Sequence, residues 1–491
     1  MRLLVVVKGL ALLRHFEEVF ELLLARGHNL VFAGAKERPD AAVLPPFASH
    51  SRCSVVNAPH GRGDDLGLTV LVVRRIRDYL RYHEPALWGA YENRRRALAQ
   101  LIQTLSSETA HLPPDAPDYL LRLGDAEAGI LRRVFQDIED LIPSSPFVDR
   151  FIHDQRPDAV LVTPLVSIGG RQADFVKSAR TLGVPVGLPV FSWDNLSNKG
   201  VMHVKPDRVF VWNEIQRREA VEMHGIDPGA VVVTGAPRFD AFYRMSPSAE
   251  REIFCGGFGL DPQRPLIAYL ASSAAVSADE PAFVEHWIQA IREAPDPVVR
   301  GAQILIRPHP RHKDVWKAHP RFRAAWSRAG ARPDAGVALM LAKAVNADQS
   351  LFDLLHHAGA VVGLNTSAEL EAGILGRPVF TVETPDAAPG QGGSLHYHYL
   401  LRSEGGFVEV ARTLTDHVAQ LARGLAGEFD REGQRTFITK FVRPRGDDTP
   451  ASPVLADAIE ALAAAGGRGL LRRIRSASAR VLGRPVAVGP P

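Results

Sequence analysis

The residues of this chain that are able to do chemistry gather in a few short segments. In Gly363-Leu-Asn-Thr-Ser-Ala-Glu-Leu-Glu-Ala-Gly-Ile-Leu-Gly-Arg-Pro-Val379 a polar turn and a helical stretch lie between two apolar runs. Asn365, Thr366 and Ser367 supply a helix cap, and the N–H groups and positive dipole end of such a helix suit a phosphate. Glu371 follows one turn inside, where a carboxylate can accept both hydroxyls of a ribose. An ordinary capped helix between strands has the same pattern. In Ile304-Leu-Ile-Arg-Pro-His-Pro310 an apolar strand delivers Arg307 and His309 to its C-terminal end, and the prolines stiffen the loop. The guanidinium offers paired donors to a diphosphate, and the imidazole a shorter donor that can neutralise a leaving phosphate. A purely structural loop is the alternative. Ala271-Ser-Ser273, after the preceding strand, turns Ser272 and Ser273 toward the same edge.

A second group stands in the N-terminal half. Phe191-Ser-Trp-Asp-Asn-Leu-Ser-Asn-Lys-Gly200 concentrates Trp193, Asp194, Asn195 and Lys199 in a polar loop, which is either a binding surface or a network of Asx turns. Asp194 is its acidic candidate for a general base. Gly9, in the loop after the first strand, faces a ligand cleft, and Arg238 ends a strand where it either touches a ligand or forms a hinge. His396 and His398 lie in the glycine-hinged segment 390–399, which is suited to closing over a ligand. Two residues apart, with no third ligand nearby, they do not read as a metal site. No Walker-type phosphate loop, H-E-x-x-H or G-x-S-x-G is present.

The elements that must position these residues alternate as strand and helix. Leu3 to Val7 is an apolar run, Leu12 to Ala25 has helical spacing, and Gly27 to Ala33 becomes a second strand. A βαβ start predicts a right-handed crossover and a doubly wound sheet with ligands beyond the strand C-termini. From about 66 to 150 leucines and arginines recur at helical intervals, which predicts a helical insertion with a solvated charged face. Strands resume at Ala159 to Thr163, Gly183 to Val190, Arg208 to Trp212 and Ala230 to Thr234. A second series follows at Leu266 to Leu270, Gln303 to Ile306, Val361 to Leu364 and Val379 to Val382. The expected organisation is an N-terminal domain over 1–244, a C-terminal domain over 245–440 and a helical tail over 441–491. Beyond Glu460 that tail carries Arg468, Arg472, Arg473, Arg475, Arg480 and Arg484 and no acid.

At 491 residues, 46% hydrophobic and 23% charged, the chain is globular and long enough for two cores. Two cysteines, Cys53 and Cys255, build no disulfide framework, which fits a reducing, cytoplasmic setting. A net charge of +3 implies no nucleic-acid partner. No apolar run is long enough for a membrane span, so contact with an anionic membrane would be peripheral, through the arginine-rich tail.

Together these segments resemble the GT-B class of glycosyltransferases. The resemblance is to bacterial transferases of surface-polysaccharide and cell-envelope synthesis related to CDP-glycerol glycerophosphotransferases and capsule transferases. It is carried by Arg307-Pro-His-Pro310, by Asn365 to Pro378 and by Val231 to Asp240 with its Thr-Gly-Ala-Pro. It implies two Rossmann-like domains facing a cleft, with a nucleotide-activated donor, UDP- or CDP-linked, held by the C-terminal one. Ser272, Ser273, Arg307, His309, Asn365, Thr366, Ser367 and Glu371 would bind that donor, and Glu371 holds the position of the family's ribose-binding glutamate, before Gly376 and Pro378. Gly9, Trp193, Asn195, Lys199, Arg238, His396 and His398 would meet sugar or acceptor, a surface glycan or a lipid-linked group. Asp194 would remove the acceptor proton, without a metal or other cofactor. Gly363 stands where retaining members carry a second acid, eight residues before Glu371. The hydrolysing UDP-N-acetylglucosamine 2-epimerases share the architecture and are the alternative, as is a non-catalytic member that binds a nucleotide sugar.

Overall fold

The computed structural model describes residues 1–35, 45–106, 116–274, 276–327, 336–341, 347–384, 387 and 391–482, without the side chains of 116–117, 324–327 and 467–482. Gly390 and Arg484 therefore lie outside the described residues, as do the side chains of the other tail arginines. The chain divides into two compact units. One comprises Met1–Trp88, Arg94–Arg238 and Arg443–Pro491, the other Gly89–Asn93 and Phe239–Val442.

The first unit is built on β1 (Arg2–Gly9), β2 (Asn29–Ala35), β3 (Cys53–Asn57), β4 (Ala159–Thr163), β5 (Val186–Pro189), β6 (Arg208–Val211) and β7 (Val231–Val233). They pair in the order β3-β2-β1-β4-β5-β6-β7, all parallel. Leu3 through Val7 are buried without alternation, as expected of a parallel strand covered on both faces. Between β3 and β4 the chain inserts helices that include Gly67–Leu80 and Asp125–Leu141. A buried ion-pair brace ties this insertion to the sheet's helix Ala173–Thr181. Arg74 spans Glu139 and Asp174 at 3.0 and 2.8 Å, Arg62 joins Asp174 at 3.0 Å and Lys177 joins Glu139 at 3.0 Å.

The long helix Ala451–Leu482 begins as part of this unit's core. Leu455, Ile459 and Leu462 are buried with Leu3, Val5 and Phe20. Its approach needs Gly187 on β5, because a Cβ there would lie 2.7 Å from the Phe210 ring and 2.8 Å from Leu462. Residues 451–463 thus pack into the core of the first unit, and the arginine-rich half of the helix follows within the same unit.

The second unit has β8 (Leu266–Leu270), β9 (Gln303–Arg307), β10 (Val337–Leu339), β11 (Ala360–Gly363), β12 (Val379–Val382) and β13 (Glu409–Ala411). Their order is β10-β9-β8-β11-β12-β13, again parallel throughout. In each unit the strand order reverses once, between β1 and β4 and between β8 and β11. Beyond the carboxyl ends of the strands at such a reversal, a doubly wound sheet leaves a crevice for a ligand.

Candidate functional site

In the second unit the strand ends beside the reversal carry most of the expected donor residues. β8 runs into Ser272 and Ser273, β9 ends on Arg307 with His309 two residues on, and β11 runs into Asn365, Thr366 and Ser367. Because β9, β8 and β11 are neighbours in one parallel sheet, these three loops leave the same edge side by side.

The loops after β8 and β11 are each held from below. Glu280 is fully buried and accepts the Ser272 N–H at 3.0 and 2.9 Å and the Tyr269 hydroxyl at 3.0 Å. Burial pushes its carboxyl up to about 7 despite those donors. Glu369, also fully buried, accepts the N–H groups of Asn365 at 3.1 Å and Thr366 at 3.3 Å, and burial pushes it up to about 8. That bond clamps Asn365 in the left-handed region at φ 65°. It also explains Gly363, where a Cβ would stand 2.5 Å from Glu369 Oε1. Two amides expected to face a phosphate are thus engaged by a side chain of the same turn, and the helix Ala368–Ile374 is short. The polar groups this turn presents outward are the hydroxyls of half-buried Thr366 and exposed Ser367. Glu371 lies buried in that helix.

His309 accepts the Arg311 N–H at Nδ1, 3.2 Å, which places its proton on Nε2. Burial, with Arg311, His312 and Arg307 adding to it, lowers its pKa to about 4. Near pH 7 it is a neutral N–H donor, whereas a charged imidazole would serve a phosphate directly; burial is the first cause and the cations around it the second. Arg307, half-buried, donates to the Ala347 carbonyl at 3.4 Å. His396 is buried, and His398 bonds the Gly392 carbonyl at 3.1 Å, both on the short helix Leu395–His398.

In the first unit the segment 191–200 follows β5 and is braced throughout. Arg81 and Tyr82 donate to the Lys199 carbonyl, each at 3.0 Å. His224 accepts the Met202 N–H and reaches the Leu196 carbonyl at 2.8 Å. Trp193 and Asn195 are buried within this network and shape it. Asp194 and Lys199 are half-buried and paired at 2.7 Å, and Asp194 also accepts from the Ser192 hydroxyl and from Asn198 at 3.2 Å. Gly9 is buried at the end of β1, and Arg238 is half-buried in the turn Pro237–Phe239.

One residue here was not singled out by sequence. His15, on the 3-10 helix Leu10–Phe16 after β1, packs edge-on against Phe191 with ring centroids 5.3 Å apart. Its pKa lies well below the ordinary value, through burial first and then the charges of Arg238 and Arg14, with Asp194 acting the other way. Its Nδ1 is buried without a hydrogen-bond partner among the described residues. A neutral imidazole thus stands within electrostatic reach of Asp194. A cavity of about 570 Å³ lies elsewhere in this unit, between Pro185 and Asp207 at the opposite ends of β5 and β6 and Leu462 of the C-terminal helix.

No family model matches the sequence, and no curated protein matches it. Solved structures do match in fold. A glycosyltransferase from Rickettsia africae ESF-5 aligns with a TM-score of 0.52 at 10% identity, covering 94% of this chain and 97% of that one. The fold is GT-B-like. A UDP-GlcNAc 2-epimerase from Methanocaldococcus jannaschii, in complex with UDP-GlcNAc and UDP, gives 0.49 at 12% identity over 94% of this chain and 100% of that one. The E. coli ADP-heptose lps heptosyltransferase II gives 0.37 at 12%, over 87% and 99%. At 10% identity the likeness to the Rickettsia africae protein is one of fold alone. Among the described residues no helix is long and apolar enough to cross a membrane.

Proposed function

We propose that the chain is a glycosyltransferase that moves a sugar, or glycerol phosphate, from a UDP- or CDP-linked donor to a surface-glycan or lipid-linked acceptor. What supports this is the set of loops after β8, β9 and β11, which brings a guanidinium, an imidazole N–H and serine and threonine hydroxyls to the strand-order reversal of the second unit, with Glu371 in the helix behind. Arg307 and the His309 Nε2–H would face the diphosphate and Glu371 the ribose. As the bond to the leaving diphosphate breaks, negative charge grows on its oxygens, and donors already in place stabilise it. Anionic charge beside His309 also favours its protonation, so the imidazole can gain a proton as the leaving group gains charge.

Proton removal from the acceptor is assigned to the first unit. Asp194 already accepts from Ser192, Asn198 and Lys199, whereas His15 is neutral, and its Nδ1 makes no hydrogen bond among the described residues. His15 therefore takes the proton, and Asp194 offsets the imidazolium charge that results. Lys199, Arg238 and Gly9 would meet the acceptor, and His396 and His398 the transferred sugar.

A thermal-shift screen with UDP, CDP, GDP and ADP tests donor binding. Saturation at about a hundredfold over Kd adds about 2.7 kcal/mol, a rise of a few degrees, and UDP or CDP should give it. With a labelled donor, nucleotide release that depends on acceptor marks transfer, and sugar isomerisation without acceptor marks an epimerase instead.

A further inference from the structure

We propose that the outward face of the helix Asp125–Leu141 is the surface on which two copies of this chain pair, antiparallel about a two-fold axis near Phe135. Its inward face is accounted for: Ala128 packs with Ile76, Leu80 and Leu101, and Glu139 enters the brace with Arg74. The outward face carries Ile130, Val134, Ile138 and Leu141, which are 54%, 45%, 36% and 83% exposed. Steps of four, four and three place them in one stripe. Single exposed aliphatics are ordinary, but a contiguous stripe of four on an otherwise charged helix marks an interaction surface.

The charges beside the stripe select its occupant. Asp125, Glu127, Asp137 and Asp140 are exposed on this helix against one exposed arginine, Arg133, while half-buried Arg132 is tied to Glu84. Such an acidic surround repels an anionic membrane. A second copy meets the same acids, and what favours it is the one exposed basic position, Arg133, placed to reach an acid of that copy. When two helices pair antiparallel about an axis perpendicular to both, each flank meets itself with the numbering reversed. The stripe from Ile130 to Leu141 has its midpoint between Phe135 and Gln136. An axis there sets Ile130 opposite Leu141 of the second copy and brings Arg133 within one residue of its Asp137. Arg133 and Asp137 share a flank of the stripe, so this opposite-charge contact is made twice. One helix face buries less than the about 800 Å² per partner of a standard interface, so the dimer is weak, with a dissociation constant in the micromolar range.

Sedimentation velocity on the full chain, from about 0.5 to 100 μM, should show monomer passing to dimer. Val134→Asp should weaken the dimer at least about tenfold, since it sets two carboxylates into the apolar centre. Arg133→Asp and Asp137→Arg should each weaken it severalfold, and their combination should restore it. All three positions are exposed, so unchanged melting curves identify variants whose fold is intact, and the restoring pair keeps the test sharp if Val134→Asp does not fold. A monomer at every concentration overturns the proposal, as does a dimer indifferent to Val134→Asp or a double exchange that fails to restore pairing. So does a monomer that binds zwitterionic lipid vesicles and loses that binding with Val134→Asp, which would assign the stripe to a membrane.

Discussion

His309 and His15 are both held neutral near pH 7, by burial first and by neighbouring arginines next, yet they are given opposite tasks. His309 has its Nδ1 occupied and presents a donor, while the His15 Nδ1 is buried without a hydrogen-bond partner among the described residues. If His15 is the base, His15→Gln should lower turnover by about a hundredfold or more while nucleotide affinity stays within about threefold. The acid limb of the kcat/KM profile should then fall below pH 6.5, because the free imidazole's pKa is depressed. A limb at or above the ordinary imidazole range, or normal turnover in His15→Gln, would return the base to Asp194 or to the substrate. Asp194 was legible in the sequence because a tight polar loop stands out. His15 was not, because Leu12 to Ala25 reads as one amphipathic helix. Only the strand order, which sets the end of β1 near that of β5 with β4 between, and the fold of residues 10–16 bring His15 to Phe191.

At the scale of elements, the buried strands were legible, and of the four edge strands only β7 was. β1, β4, β8 and β9 are covered on both faces and read as unbroken apolar runs. The missed strands β3, β10 and β13 lie at edges; β3 and β13 are partly exposed, and β10 and β13 are only three residues long, too short for any period. In the turn after β11 the Thr366 hydroxyl accepts the first helical N–H, that of Ala368, while the Asn365 and Thr366 amides are held by Glu369, a residue indistinguishable in sequence from a solvated helix glutamate. Two buried groups make opposite contributions to stability with pH. Glu369 has a folded pKa of about 8 against an ordinary 4.5, so the folded chain keeps a proton that the unfolded chain has lost between those values. Its contribution is full below pH 4.5 and is lost as pH rises through 8. Glu369→Gln retains an oxygen for both amides, and its melting point relative to the parent should climb from pH 5 to pH 8. His417 is buried between Trp287 and Phe380 with neither ring nitrogen bonded among the described residues, and its pKa is lowered to about 3 by burial. Here the unfolded chain binds the extra proton, so stability is lost as pH falls below 6.5. His417→Leu should stabilise by about 1 kcal/mol at pH 8 and by more at pH 5. A constant difference across that range, for either variant, would contradict the assignment.

At the scale of the whole molecule, the two-unit α/β fold followed from the alternation of runs and helices, but the role of the C-terminal helix did not. Its alanine- and arginine-rich sequence reads as a tail, and the core contribution of Leu455, Ile459 and Leu462 shows only in the packed unit. A chain ending after Gly466 should melt like the parent and, if the arginines attach the protein to membranes, lose co-sedimentation with anionic vesicles, each basic residue being worth about 1 kcal/mol there. A chain ending at Asp457 lacks Ile459 and Leu462 and should lose about 3 kcal/mol or more of stability. Equal pelleting of the parent and the longer truncation would remove the membrane role, and equal melting of the shorter one would remove the packing role. The placement of the donor in the second unit is tested most directly by titration calorimetry with UDP and CDP on the full-length protein. One of the two should bind, and Glu371→Gln should weaken that binding by about tenfold to a hundredfold, the worth of a hydrogen bond to a charged group, while Asp194→Asn stays within about threefold. Binding of neither nucleotide, or parental affinity in Glu371→Gln, would contradict it.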